Sequence, residues 1–70
     1  MNQFSLENRP YIELCDLLKI TGFCPSGGVA KNLIAEGTVT VDGNIERRKR
    51  CKIRSGQVVE FNENKVTVIE

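Results

Sequence analysis

The 70-residue chain has no histidine, and only four of its residues are aromatic, one tyrosine and three phenylalanines. Histidine is the commonest general base and a common metal ligand, so two routes to catalysis close at once. No serine, cysteine or lysine has an evident base beside it in the sequence either. The three cysteines, Cys15, Cys24 and Cys51, are odd in number and lack C-x-x-C spacing. This is neither a disulfide framework nor a zinc site, and reduced thiols fit the cytosol. Cys15 reads as core filling. Cys51, set among cations, reads either as a thiolate they stabilise or as a small buried apolar residue. No apolar stretch approaches the ~20 residues of a membrane span. The N-terminal MNQFSLENR lacks the apolar run of a signal peptide. The expectation is a soluble cytoplasmic protein with no catalytic residue, no metal, no cofactor and no membrane partner.

The net charge of +1 is close to neutral but unevenly spread. Residues 46–54, ERRKRCKIR, set the six cations Arg47, Arg48, Lys49, Arg50, Lys52 and Arg54 against Glu46. The segment carries +5, which leaves −4 for the rest of a chain whose net charge is +1. An acidic body with one basic segment points to a localised anionic partner. If the segment is extended, Arg48, Arg50, Lys52 and Arg54 line one face, while Cys51 and Ile53 point to the core. If it is a loop, the hairpin before it should return these charges beside the opening of the second helix. A solvated edge that discourages sheet-to-sheet aggregation is the plainer reading, but six cations against one anion are too lopsided for it.

A chain this short buries only about 60% of the surface it exposes unfolded, so it makes one domain, residues 1–70, with a small core. Gln3–Leu6 reads as a short strand with Phe4 and Leu6 on one face. A first helix, with Pro10 in its opening turn, carries Tyr11, Leu14, Cys15 and Leu18 at i, i+3, i+4, i+7 and ends at Thr21-Gly22. Phe23–Pro25 is a short connection, which makes the next helix its neighbour. Ser26 is a good N-cap for that second helix. Val29, Ala30, Leu33 and Ile34 give it an apolar face, and Gly37 suits its C′ position. Thr38–Val41 alternates as a strand, and Asp42-Gly43 is a two-residue hairpin signal leading to Asn44 and Ile45. Ser55-Gly56 turns the chain into a strand with Val58, Val59 and Phe61. Asn62–Asn64 turns it again into Lys65–Ile69, expected to pair with its predecessor and with Gln3–Leu6. The fold class is α+β: two packed helices against a small, mostly antiparallel sheet.

Gly27-Gly28 is unusual at a helix start, since glycine costs roughly 1 kcal/mol against alanine. Bare first-turn amides, the helix dipole and Lys31 one turn on together suit a phosphate oxygen. A tight glycine turn packed against a neighbour accounts for the same residues. The G-x-x-x-x-G spacing of Gly22 and Gly27 is not a nucleotide-hydrolysing loop: Gly28-Val29 follows where Lys-Ser/Thr is required, and no strand precedes.

The stretch from Ser26 to Gly43 resembles the αL motif of the S4 RNA-binding domain, which usually shows S-R-x-x-A-[RK]-x-L-I-x-x-G-x-V-x-V-N-G. Ser26, Ala30, Lys31, Leu33, Ile34, Gly37, Val39, Val41 and Gly43 match. Gly27 stands where arginine is usual, which removes a typical RNA contact, and Asp42 stands where asparagine is usual. The resemblance covers about Tyr11 to Phe61 and is nearest to the small stand-alone bacterial members. It implies an RNA-binding module for structured RNA, often ribosomal RNA, with tRNA the other candidate, and hence a chain associated with the ribosome. Members that modify RNA carry a separate catalytic domain, absent from these residues. The expected RNA-binding residues are Ser26, Gly27, Gly28 and Lys31 at the helix opening, and Arg47, Arg48, Lys49, Arg50, Lys52 and Arg54 along the basic segment. Phe4, Tyr11, Phe23 and Phe61 read as core, so phosphates and shape dominate over base stacking, which favours folded or double-stranded RNA. The expected state is a monomer. A module docking an acidic protein partner is the alternative. DNA binding is a third reading, weakened because a glycine-opened helix offers no side chains to read a groove.

Overall fold

The computed structural model describes residues 2–70. Alternation in the last third of the chain builds the centre of the sheet. Strand β6 (Val58–Phe61) and strand β7 (Asn64–Ile69) pair antiparallel about the Asn62-Glu63 turn, with Val59 opposite Val66. Val59, Val66 and Val68 are fully buried on one face, while Glu60, Lys65 and Thr67 lie on the other. Strand β1 (Asn2–Ser5) joins β7 in parallel, and β3 (Val39–Val41) joins β6 antiparallel. The short β4 (Asn44–Ile45) closes the row as β1-β7-β6-β3-β4. The β3–β4 hairpin turns at Asp42 and Gly43, whose φ of 51° and 85° give the primed turn that the Asp-Gly pair favours. Asp42 also accepts from the Val58 amide at 2.9 Å, tying this turn to β6.

Two helices cover the buried face. Helix α1 (Leu14–Ile20) buries Leu14, Cys15, Leu17 and Leu18, and α2 (Gly27–Ala35) buries Ala30 and Ile34 against it. The Ser26 hydroxyl accepts from the Val29 amide at 3.2 Å, as an N-cap should. At the other end the Gly37 amide donates to Ile34 O and the Thr38 amide to Leu33 O, with Gly37 at φ 83°. That is a Schellman C-cap, which needs a residue free to adopt positive φ. The α+β class and the helix pair on a mostly antiparallel sheet are as expected.

Two local expectations are corrected, and the choice left open for the basic segment falls to a loop. The first helix begins at Leu14 rather than near Pro10. Ile12 and Glu13 instead form β2, paired antiparallel with β5 (Lys52–Ile53), which draws the chain out of helical geometry. Val29 is exposed: it lies in the first turn of α2, beyond the cover that Ala30 and Ile34 share. The basic segment is not one extended ladder, because Lys49-Arg50 form a turn and only Lys52-Ile53 is strand. Ile53 is fully buried and Cys51 packs half-buried against the core, as its alternation suggested.

Candidate nucleic-acid interface

The basic loop is held by main-chain bonds, which leaves its side chains outward. The Leu14 amide donates to Cys51 O at 2.9 Å and the Cys15 amide to Lys49 O at 3.1 Å. These are first-turn amides of α1 that otherwise lack intrahelical partners, so the loop caps the helix. The Cys51 amide closes the Lys49-Arg50 turn onto Arg48 O at 3.2 Å. Arg47, Arg48, Lys49, Arg50, Lys52 and Arg54 are all exposed. Arg48, Arg50, Cys51 and Lys52 line an open depression of about 420 Å³.

Among the described residues one ion pair forms within 4 Å, and it joins Arg48 to Glu46. It is bidentate: Arg48 Nε lies 2.9 Å from Oε2, and Nη2 lies 3.1 Å from Oε1. The Arg48 amide adds a third bond to Oε2 at 3.0 Å. These bonds lower the Glu46 carboxyl to about 2 and raise the Arg48 guanidinium. One cation of the six is therefore already engaged. Arg47, Lys49, Arg50, Lys52 and Arg54 have no carboxylate partner among the described residues.

Cys51 follows the reading of a small residue packed against the core and not that of a cation-stabilised thiolate. Its Sγ lies 3.5 Å from Glu46 Oε1, while Arg48 Nη2 is 3.7 Å away. Burial pushes the thiol up, and the neighbouring carboxylate reinforces this against the weaker opposing pull of Arg48. Cys24 is also raised by burial, and all three cysteines are free thiols. Glu13, Cys15 and Asp16 bring one ligand-type atom each within 4.8 Å of one another at the start of α1, with Cys15 buried.

The helix opening lies elsewhere. The Gly27 and Gly28 amides have no hydrogen-bond partner among the described residues, since the Ser26 hydroxyl is used by Val29. A Cβ on Gly27 would come no nearer than 3.9 Å to the Lys19 stem, and one on Gly28 no nearer than 3.9 Å to Ser26 Oγ. Neither glycine has a positive φ. Close packing and backbone strain therefore do not explain the pair, which removes the tight-turn reading. Lys19 is exposed and Lys31 half-buried.

The expectation that the basic loop lies beside this opening is also corrected. The Arg47 guanidinium packs against Gly37, where a Cβ would meet it at 2.9 Å, so Arg47 sits at the C-terminal end of α2. The nine residues of α2 separate that end from Gly27 by ~13 Å. The α1 start draws the loop there through its free amides, a demand no local sequence pattern announces.

Tyr11 is a residue that sequence reasoning assigned wrongly. Phe61 is buried, and Phe4 and Phe23 pack against the core, but Tyr11 lies outside that cluster. Lys52 Nζ stands 5.1 Å from its ring centroid and Arg54 Cζ 5.8 Å. A signal was present, since Tyr11 lies just before a two-residue strand paired to the basic segment, but only the pairing reveals it.

A helix pair on this sheet, with a capped α2 and a cation-rich loop, defines a member of a known class. The chain belongs to the S4 domain family, whose model matches residues 4–69. YbcJ of Escherichia coli strain K12 and YbcJ of Shigella flexneri are each 55% identical to it over 69 residues, 99% of this chain and 99% of each relative. The solution structure of Escherichia coli YbcJ matches with a TM-score of 0.78 at 54% identity, over 100% of this chain and 89% of that one. It is described as revealing an αL motif involved in RNA binding. The 30S ribosomal protein S4e from Thermoplasma acidophilum shares the fold, with a TM-score of 0.62 and 24% identity over 83% of this chain and 31% of that one.

Proposed function

We propose that this chain binds structured RNA without catalysis, chiefly through phosphates, and that ribosomal RNA or tRNA is the natural ligand. The observation that carries the reading is the set of five exposed cations, Arg47, Lys49, Arg50, Lys52 and Arg54, with no carboxylate partner among the described residues. Unpaired cations in a small area cost self-repulsion, which the phosphates of a polyanion neutralise while its condensed counterions are released. The opening of α2 adds a second contact for a phosphate, made by the Gly27 and Gly28 amides with Lys31 and, from α1, Lys19. The ~13 Å between the two ends of α2 sets these as contacts to different phosphates. The αL motif attributed to YbcJ supports RNA as the polyanion. No polar or charged side chain is buried among the described residues, which fits a binding surface better than an acid–base centre. The chain acts as a cytoplasmic monomer associated with the ribosome.

Gel-shift titration at low salt with several folded RNAs and a matched DNA duplex tests the class. Folded RNA is retained and the DNA is bound more weakly; failure to retain any folded RNA overturns the reading. Crosslinking in cells, followed by sequencing of the attached RNA, identifies the ligand. Crosslinks confined to messenger RNA would exclude ribosomal RNA and tRNA.

A further inference from the structure

We propose that Tyr11 and the groove that Arg54 joins to it take an unpaired stretch flanking the folded part of the RNA, with a base stacked on Tyr11 and phosphates on Arg54 and Arg9. The inference rests on RNA binding by the basic loop and adds which kind of RNA element the neighbouring surface accepts.

Tyr11 is the one aromatic residue outside the core and its immediate packing. It is half-buried, and Lys52 and Arg54 stand within 6 Å of its ring centroid. A π face turned toward cations is turned toward the charged surface. Aromatic faces beside cations are what unpaired bases stack on, and the base satisfies the ring while its phosphates satisfy the cations.

Arg54 links this ring to a groove of about 340 Å³, whose lining includes Asn8, Arg9, Arg54 and Ser55. Glu70 adds an acidic side chain to that lining. Both arginines are exposed and each donates to a main-chain carbonyl. Arg9 Nε donates to Leu6 O at 2.8 Å, and its guanidinium lies 5.8 Å from the Phe4 ring centroid. Arg54 Nη1 donates to Pro10 O at 3.4 Å. Neither has a carboxylate within 4 Å among the described residues, so most of each donor fork is free for a phosphate. Two guanidiniums without an ion-pair partner within 4 Å among the described residues therefore flank one groove, which Glu70 also lines, and Arg54 carries it to the Tyr11 ring. Asn8 and Ser55 add hydrogen-bonding groups suited to a base edge or a 2′-hydroxyl.

A paired base hides its faces in the helical stack. Only a loop, bulge or end can present one to Tyr11. The surface as a whole then fits a junction, with phosphates of the folded element on residues 47–52 and the single strand running across Tyr11 to Arg9.

The test uses the intact chain, whose single tyrosine and lack of tryptophan make its intrinsic fluorescence a report on Tyr11 alone. Two RNAs are titrated, a blunt duplex and the same duplex with a short single-stranded overhang. The overhang should raise affinity roughly five- to a hundred-fold, the range expected for stacking one base. It should also quench Tyr11 emission well beyond any change the blunt duplex causes through Lys52. Tyr11→Ala and Arg9→Gln should each remove the preference while keeping affinity for the blunt duplex, and Tyr11→Phe should retain it. Equal affinity for the two RNAs, unchanged emission, or a preference that survives Tyr11→Ala overturns the stacking site and leaves phosphate binding standing. If neither RNA binds, the proposed function falls and this inference with it.

Discussion

Gly28→Glu places a negative charge where a phosphate is proposed, at a position with room for it. A Cβ there meets nothing closer than Ser26 Oγ at 3.9 Å, an ordinary van der Waals contact. The residue is the second of α2, two positions after the N-cap, so a carboxylate interacts favourably with the helix dipole by about 0.3–1 kcal/mol. Replacing glycine adds about 0.5 kcal/mol of helix propensity. Together these stabilise the fold by roughly 1 kcal/mol, which raises the melting temperature of a domain this size by about 4–8 °C. The same carboxylate competes for the Gly27 and Gly28 amides and repels an incoming phosphate. Loss of one charge-assisted contact weakens RNA binding by at least about tenfold. Thermal melting and RNA titration of the same variant measure both effects. A variant that melts at or above wild type and binds RNA as wild type removes the helix opening from the interface. One that melts well below wild type refutes the finding that Gly28 is free of packing.

Gly37→Ala should destabilise by about 1–2 kcal/mol, because φ there is 83°. The Arg47 guanidinium, 2.9 Å from the added Cβ, is the mobile end of a side chain and should swing away. A melting temperature equal to wild type would refute the strained-cap account. At pH 8 Cys51 should react with iodoacetamide more slowly than a free cysteine, and Glu46→Gln should speed it by leaving the thiol among cations alone. Alkylation faster than free cysteine in the wild type would restore the activated-thiolate reading. The Glu46 carboxyl is lowered from 4.5 to about 2, so its contribution to stability is complete above pH 4.5 and lost as pH falls toward 2. Urea unfolding at these two pH values should show a smaller acid-induced loss for Glu46→Gln than for wild type; equal losses would separate Glu46 from the acid response.

The parts legible in the sequence are those specified within a few residues. Ser26, Gly37 and Asp42-Gly43 fix the bounds of α2 and the β3–β4 turn through capping and positive φ, which are local demands. Val66 and Val68 reveal their buried face by simple alternation. The start of α1 was hidden because Tyr11, Leu14, Cys15 and Leu18 hold helical spacing, whereas Ile12 and Glu13 obey a partner some 40 residues away in β5. Position of the basic loop was hidden for the same reason, since its carbonyls answer the amides of Leu14 and Cys15. The composition of residues 46–54 pointed to the charged surface, but not that Glu46 engages Arg48 or that Tyr11 and Arg9 extend it.

The salt dependence of RNA affinity tests the central claim most directly. Among the described residues, five cations of residues 47–54 stand without a carboxylate partner, and Arg48 is held by Glu46. If those five meet phosphates, a plot of log K against log salt concentration has a slope of about −4, from roughly 0.7–0.9 per contact. A slope near zero, or no RNA retained even at low salt, contradicts a surface built to bind a phosphate backbone.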